Sequence, residues 1–287
     1  MEQFLVSHEV SIASWVFVLA FLLVALGETF HPRKELGKPT ARRWAANGLL
    51  GVTHLAVNAL YPLGGSLAAM LVLKSPYGLF NRPIVPMALR FVLAVIALDF
   101  VRFATHYLFH RIPFLWRVHQ VHHSDPDFDL TTGVRTHPGE LILVQGVNLL
   151  AIVLLAPPPL AVIALGAFTA MQNFFSHGNL RLPGWVEAVL RLVMVTPDLH
   201  RIHHSDDFSE QNTNFGVLVP WWDKLFGTYL AAPALGHEKM GVGLLGFKDG
   251  RSMNVLHLLA LPFRNPVSAD SRPPEPEKTA LPVTSSR

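Results

Sequence analysis

The chain contains no cysteine, so disulfides, thiolate metal sites and iron–sulfur clusters are excluded as sources of stability or chemistry. Charge is scarce as well. Only 15% of the 287 residues are Asp, Glu, Lys or Arg, against 51% hydrophobic, and the mean hydropathy is +0.35. That balance is more apolar than an ordinary soluble domain carries. Magnesium and calcium would demand oxygen ligands. The net charge of +3 is spread beside apolar runs rather than along a basic stripe, which argues against a nucleic-acid partner.

What is present is hydrocarbon. A membrane-crossing helix needs about 20 apolar residues, and several runs approach that. The first covers 10–30 and follows "MEQ" rather than a basic start, so it reads as a retained anchor and not a cleaved leader. A loop containing Arg33, Lys34, Lys38, Arg42 and Arg43 comes next, and the positive-inside rule puts it in the cytoplasm. A second run spans 45–73, interrupted by Pro62, Gly64 and Gly65, and a third covers 84–110. Two shorter stretches within 141–176, hinged at "APPPLA", read as a helical hairpin whose open ends face the cytoplasm. From Pro266 the composition turns to proline, serine and charge, which predicts a disordered tail. The expected fold is all-α: an integral membrane helical bundle with a cytoplasmic, histidine-rich catalytic cap. Its expected parts are an anchor region (1–83), a catalytic region (84–232), an extension (233–265) and the tail (266–287).

Fifteen histidines stand against this apolar background, and eight of them fall into three motifs. "HYLFH" contains His106 and His110, "HQVHH" contains His119, His122 and His123, and "HRIHH" contains His200, His203 and His204. Residues at i, i+3 and i+4 share a helix face, so each motif aims two or three imidazoles at one point. Pro113 allows a corner between the first two motifs. Imidazole in apolar surroundings must be hydrogen-bonded or ligated. Eight candidate ligands exceed the four to six that one ion takes, so two metals are implied. Neutral imidazole suits iron, zinc, copper or nickel, and the spacing alone does not choose among them. His8, His31, His54, His237 and His257 stand outside the motifs and read as surface or internally satisfied residues. The lone Glu28…His31 pair is a chance match to a di-iron bundle motif.

Together with "RTHPGE" and "NTNFGVLVPWWDKLFGTYL", the clusters resemble the fatty acid hydroxylase and sterol desaturase superfamily over about Asp99 to Tyr229. The resemblance implies two irons held by histidine, oxygen as co-substrate and electrons from a separate ferredoxin- or cytochrome b5-like carrier. It also implies a lipid substrate of fatty acyl, sterol or carotenoid type drawn from the bilayer. The segment "QNFFSHGN" brings in His177 as a further ligand, whereas Asn173 stands where some members carry another histidine. Arg135, His137 and Glu140 of "RTHPGE" are placed near the ligands. A ligating imidazole donates its other N–H to a carboxylate or carbonyl, which suggests Asp99 and Asp223 as orienting partners. Asn212 and Asn214 either do the same or make a turn, and Asp223 beside Trp221 and Trp222 also fits an interfacial loop.

Hydroxylation and desaturation both remain compatible with such a site. A membrane zinc hydrolase would use a carboxylate base in His-Glu-x-x-His, which is absent. A metal transporter would place ligands at mid-bilayer, whereas these clusters fall at the ends of spans and in polar loops. "GVGLLG" at 241–246 matches a dinucleotide fingerprint without its strand-to-helix context, and reads as a flexible glycine-rich loop.

Overall fold

In the computed structural model, residue 4 and residues 7–264 are described, apart from 38, 61–64, 74–76, 82–84, 246 and 248–249. The expected tail at 266–287 lies outside the described residues, as do Pro62 and Gly64. Those described form helices, with no strand among them beyond two isolated bridges, Pro32 to Leu180 and Ser205 to Val242.

The apolar runs become long helices: α1 (Glu9–Phe30), α2 (Thr40–Leu60), α3 (Gly65–Val72), α4 (Met87–Arg111), α6 (Pro138–Leu155) and α7 (Pro159–His177). Pro113 opens α5 (Pro113–His123), and Ile112 between α4 and α5 is extended, because proline suits a first helical turn but not an interior. The corner therefore separates the first two histidine motifs. The α6–α7 hairpin turns at Ala156, which takes a left-handed conformation (φ 47°), and resumes at Pro159. Its tip is tied to the 79–80 segment, since the Leu79 and Phe80 amides donate to the Leu154 and Leu155 carbonyls.

Three helices are long and apolar enough to cross a membrane: Ser11–Phe30, Pro138–Leu155 and Pro159–His177. On α1, Trp15, Leu19, Leu23 and Leu26 all face outward. So much exposed hydrocarbon on one helix is untenable in water and ordinary in lipid. The inward side of α1 packs on α7, where Ala20 and Val24 meet Phe174. By contrast, α4 carries Arg90, Asp99 and Arg102 within its apolar sequence.

Short helices follow the hairpin: α8 (Gly184–Leu190), α9 (Pro197–His203), α10 (Phe208–Gln211), α11 (Trp221–Phe226), α12 (Gly236–Lys239) and α13 (Val255–Ala260). Residues 240–261 fold back onto the helical body. Leu244, Phe247, Leu258 and Leu261 form one core with Ala46, Leu50 and Val121.

Two basic residues of the 33–43 stretch are engaged in ion pairs. Arg43 is buried and pairs with Asp125 and Asp129, and Arg33 bridges Asp198 and Glu238. Two glycines of the 241–246 stretch are held by backbone hydrogen bonds. The Gly243 amide donates to the His204 carbonyl, and the Asp206 amide donates to the Gly241 carbonyl. Gly243 has φ of +94°, and a Cβ there would lie 2.5 Å from the Asp125 carbonyl oxygen. Gly243→Ala is accordingly expected to destabilise the fold by about 1–3 kcal/mol, read as a lower thermal midpoint in lipid nanodiscs. An unchanged midpoint would show that this loop does not clamp the histidine segment.

Candidate metal centre

The structure gathers nine histidines from α4, α5, α7 and α9 into two adjoining groups. His106, His110, His119, His123 and His203 form the first, and His122, His177, His200 and His204 the second. Within each group, the nitrogens that could ligate lie within 4.8 Å of one another. α5 supplies both groups because its three histidines span a single turn: His119 and His123 point to one group and His122 to the other. α9 does the same with His203 against His200 and His204. Thr196 caps α9 by accepting from the Leu199 amide, and Pro197 opens its first turn.

Five of the rings are turned by a hydrogen bond at Nδ1, which leaves Nε2 facing inward. His106 bonds the Phe215 carbonyl (2.8 Å), His122 the Arg135 carbonyl (3.2 Å), His177 the Asn173 carbonyl (2.7 Å) and His203 the Thr213 carbonyl (2.8 Å). His119 bonds the Glu140 carboxylate at 2.7 Å. An acceptor at Nδ1 fixes that tautomer and makes Nε2 the free lone pair.

The inward nitrogens fit a cation. Nε2 of His110, His203 and His204 is buried without a hydrogen-bond partner. Leaving that many imidazole nitrogens unpaired would be costly. Nε2 atoms also approach in pairs: His119 to His123 at 3.2 Å, His122 to His177 at 3.1 Å, and His177 to His200 at 3.0 Å. Such a set accepts a divalent ion whose favoured donors are neutral imidazoles. Electrostatics keep the rings neutral. Burial, reinforced by neighbouring imidazoles, holds His122, His123, His200 and His204 well below the usual histidine range. Burial brings His203 down to about 3, against the opposing hydrogen bond to Thr213.

The remaining candidates support the site from further out, and several do so differently from the expected way. Asp99 does not orient His106; its carboxylate accepts the Trp222 indole N–H at 2.8 Å. Asp223 accepts the Phe215 and Gly216 amides and the Thr228 hydroxyl, so it steadies the strand of chain that offers the Phe215 carbonyl to His106. Burial pushes its carboxyl up to about 6. Asn214, at φ 52°, bonds the Leu199 and Leu230 carbonyls and the Leu230 amide, bracing the same loop. Asn212 bonds only the Phe208 carbonyl and completes a turn. The Asn173 side chain donates to the Gly133 carbonyl, while its backbone oxygen holds His177. His137 caps α6 by accepting from the Gly139 amide, with Nε2 bonded to the Leu259 carbonyl. It touches neither histidine group.

Arg135 is fully buried, and its guanidinium binds the Val121 and Ser252 carbonyls, Asn47 Oδ1 and the Ser124 hydroxyl. Burial lowers it to about 10, so it remains a cation at neutral pH. Three contributors escaped the sequence reading. Asn47 donates to Asp125 and Thr131, Asp125 also pairs with Arg43, and Arg201 lies over the Phe128 ring that packs on His177 and His204. The only visible hint was the acidic spacing "SDPDFD" directly after "HQVHH".

This arrangement defines a helical membrane protein with a paired histidine cluster able to bind metal. The sequence pattern of the fatty acid hydroxylase family matches residues 91–228, which contain all nine histidines. The chain is 31% identical over 157 residues to the ornithine lipid hydroxylase OlsE of Rhizobium tropici, covering 55% of this chain and 46% of that protein. Human alkylglycerol monooxygenase is 29% identical over 155 residues, 53% of this chain and 32% of its own length. Rat cholesterol 25-hydroxylase is 27% identical over 153 residues, 50% and 47% respectively. The matches thus span less than half the length of these relatives. No solved structure gives a significant match.

Proposed function

We propose that the chain is a membrane-bound di-iron oxygenase that hydroxylates an unactivated C–H bond of a lipid with O2 and electrons from a separate ferredoxin- or cytochrome b5-like carrier. The observation that carries this reading is the gathering of nine histidines into groups of five and four, with Nε2 of His110, His203 and His204 buried and without a hydrogen-bond partner. Three similar proteins named as lipid hydroxylases or monooxygenases support the reaction class.

In this reading the first group holds one iron and the second holds the other, without any carboxylate ligand. The metal pair supplies oxygen activation and hydrogen abstraction; the chain supplies ligation, orientation and exclusion of water. His119 keeps its proton on Nδ1 because Glu140 accepts it. His106 and His203 likewise keep theirs on Nδ1, donating to the Phe215 and Thr213 carbonyls. Neutral rings therefore stand ready without a proton being expelled at neutral pH. Hydroxylation is preferred over desaturation because capture of one carbon centre needs one positioned C–H bond, whereas an alkene needs two. α1 and the α6–α7 hairpin cross the bilayer in a multi-pass arrangement, with the histidine groups at its cytoplasmic face. Within the chain, 1–83 serves as anchor region, 84–232 as catalytic unit and 233–265 as an extension closing over it.

The test supplies the purified, iron-loaded protein with a reductase system, labelled oxygen gas and fatty acyl, sterol and carotenoid lipids. Label in a lipid hydroxyl is the expected result. A new double bond with all label in water would identify a desaturase, and product formed anaerobically without reductant would overturn oxygen chemistry in favour of hydrolysis.

A further inference from the structure

A groove of about 520 Å³ lies between α4 and α11, within the size range of small-molecule sites. Leu93, Ile96 and Phe100 form one wall and Trp222 and Phe226 the other, with the 79–80 segment at its margin. All these side chains are apolar or aromatic. The single polar atom among them, Trp222 Nε1, is engaged with Asp99, so the indole presents hydrocarbon to the groove. Leu93, Ile96, Phe100 and Phe226 are exposed, and the groove opens to the surroundings of the protein.

From there a line of rings leads to the histidines. Phe103 packs on both Phe100 (6.3 Å between centroids) and Phe226 (5.5 Å). Tyr107 follows on Phe103, and Phe215 on Tyr107 at 5.2 Å. Phe215 lies 5.9 Å from the His106 ring and 5.1 Å from that of His110. Of the nine clustered histidines, only these two are half-buried; the other seven are buried. The least enclosed side of the centre therefore belongs to α4, the helix that walls the groove, and His106 stands about 9 Å along its axis from Phe100.

We propose that this groove binds the hydrocarbon chain of a bilayer lipid and directs its reacting carbon along α4 toward His106 and His110. The proposal rests on the hydroxylase reading and adds to it the place where substrate is held. A membrane-spanning helix is a poor fit for the groove, because Leu93 to Phe100 covers about 10 Å of axis whereas a span runs about 30 Å. A flexible chain matches both this short length and the wholly apolar lining.

The test uses the full-length, metal-loaded protein in phosphatidylcholine nanodiscs doped with a phosphatidylcholine that carries a diazirine at its acyl terminus. After illumination, adducts are mapped by peptide mass spectrometry. Adducts are expected to concentrate on 93–100 and 222–226, above the level on the outward face of α1. Ile96→Trp, at an exposed position, is expected to lower groove adducts about tenfold, equivalent to about two methylenes displaced from burial. Adducts on α1 and metal content stay unchanged. Leu93→Trp, also at an exposed position, provides the same test should the first variant fold poorly. Uniform labelling of all exposed apolar helices, or groove adducts indifferent to both variants, would overturn the proposal. Groove adducts in a protein that never oxidises lipid would leave the groove standing and overturn the hydroxylase reading. Lipid oxidation without groove adducts would do the reverse.

Discussion

His122→Ala and His203→Ala are each expected to lower bound metal from two ions per chain to about one and to remove lipid oxidation. The two substitutions act on different groups, His122 on the four-histidine set and His203 on the five-histidine set, so each should cost one ion. Loss of a hydrogen-bond partner behind a ligand typically costs about 10–100-fold in affinity or activity; loss of the ligand itself should exceed that. The helices should persist, because α1, α6 and α7 are held by apolar packing and lipid rather than by imidazoles. Elemental analysis, circular dichroism and turnover on the same preparations provide the check. Two ions retained in either variant, or full turnover in both, would refute the division into two sites.

Acid is expected to open the metal-free protein well above the pH at which carboxylates titrate. The unfolded chain takes up protons at histidine near pH 6.5. In the folded protein burial holds His203 down to about 3, and His122, His123, His200 and His204 well below their usual value. Below pH 6.5 the unfolded state therefore binds more protons, and stability falls as pH falls. Full stability should be present above about 6.5 and be lost progressively toward pH 3, with His203 alone contributing on the order of 5 kcal/mol at the acid end. Bound metal should widen the stable range, since ions and protons compete for the same nitrogens. Chemical denaturation of chelated and loaded protein between pH 4 and 8 gives the measurement; a flat profile for the chelated form would contradict neutral, buried rings.

Helical class was legible because it rests on local spacing. The apolar runs mark the helices, Pro113 marks the corner, and the triple "APPPLA" proline marks the hairpin turn. The histidine motifs were legible for the same reason: i, i+3 and i+4 fix a shared face before any tertiary contact forms. Supporting contacts were harder to read, because they join residues far apart in sequence. Asp99 sits two turns before His106 on the same helix, yet Trp222, 123 positions away, claims its carboxylate. Four orienting acceptors, on Phe215, Arg135, Asn173 and Thr213, are backbone carbonyls, which side-chain identity does not reveal. The buried partners of Arg43, Asp125 and Asp129, lie more than eighty residues downstream, beyond the reach of local spacing. The glycines at 241 and 243 read as freedom, whereas their missing side chains permit close approach to Asp206 and Asp125.

The order of the ligands along the chain also bears on how such a protein is made. α4 and α5 leave the ribosome first, then the α6–α7 hairpin with His177, and only afterwards the α9 histidines and the 240–261 segment that packs over α2 and α5. Neither group is complete until residues 200–204 have been synthesised. An ion captured prematurely by His106, His110, His119 and His123 would meet four of the first group's five rings and none of the second group's α9 rings, which makes assembly sensitive to which metal the cell offers during that interval.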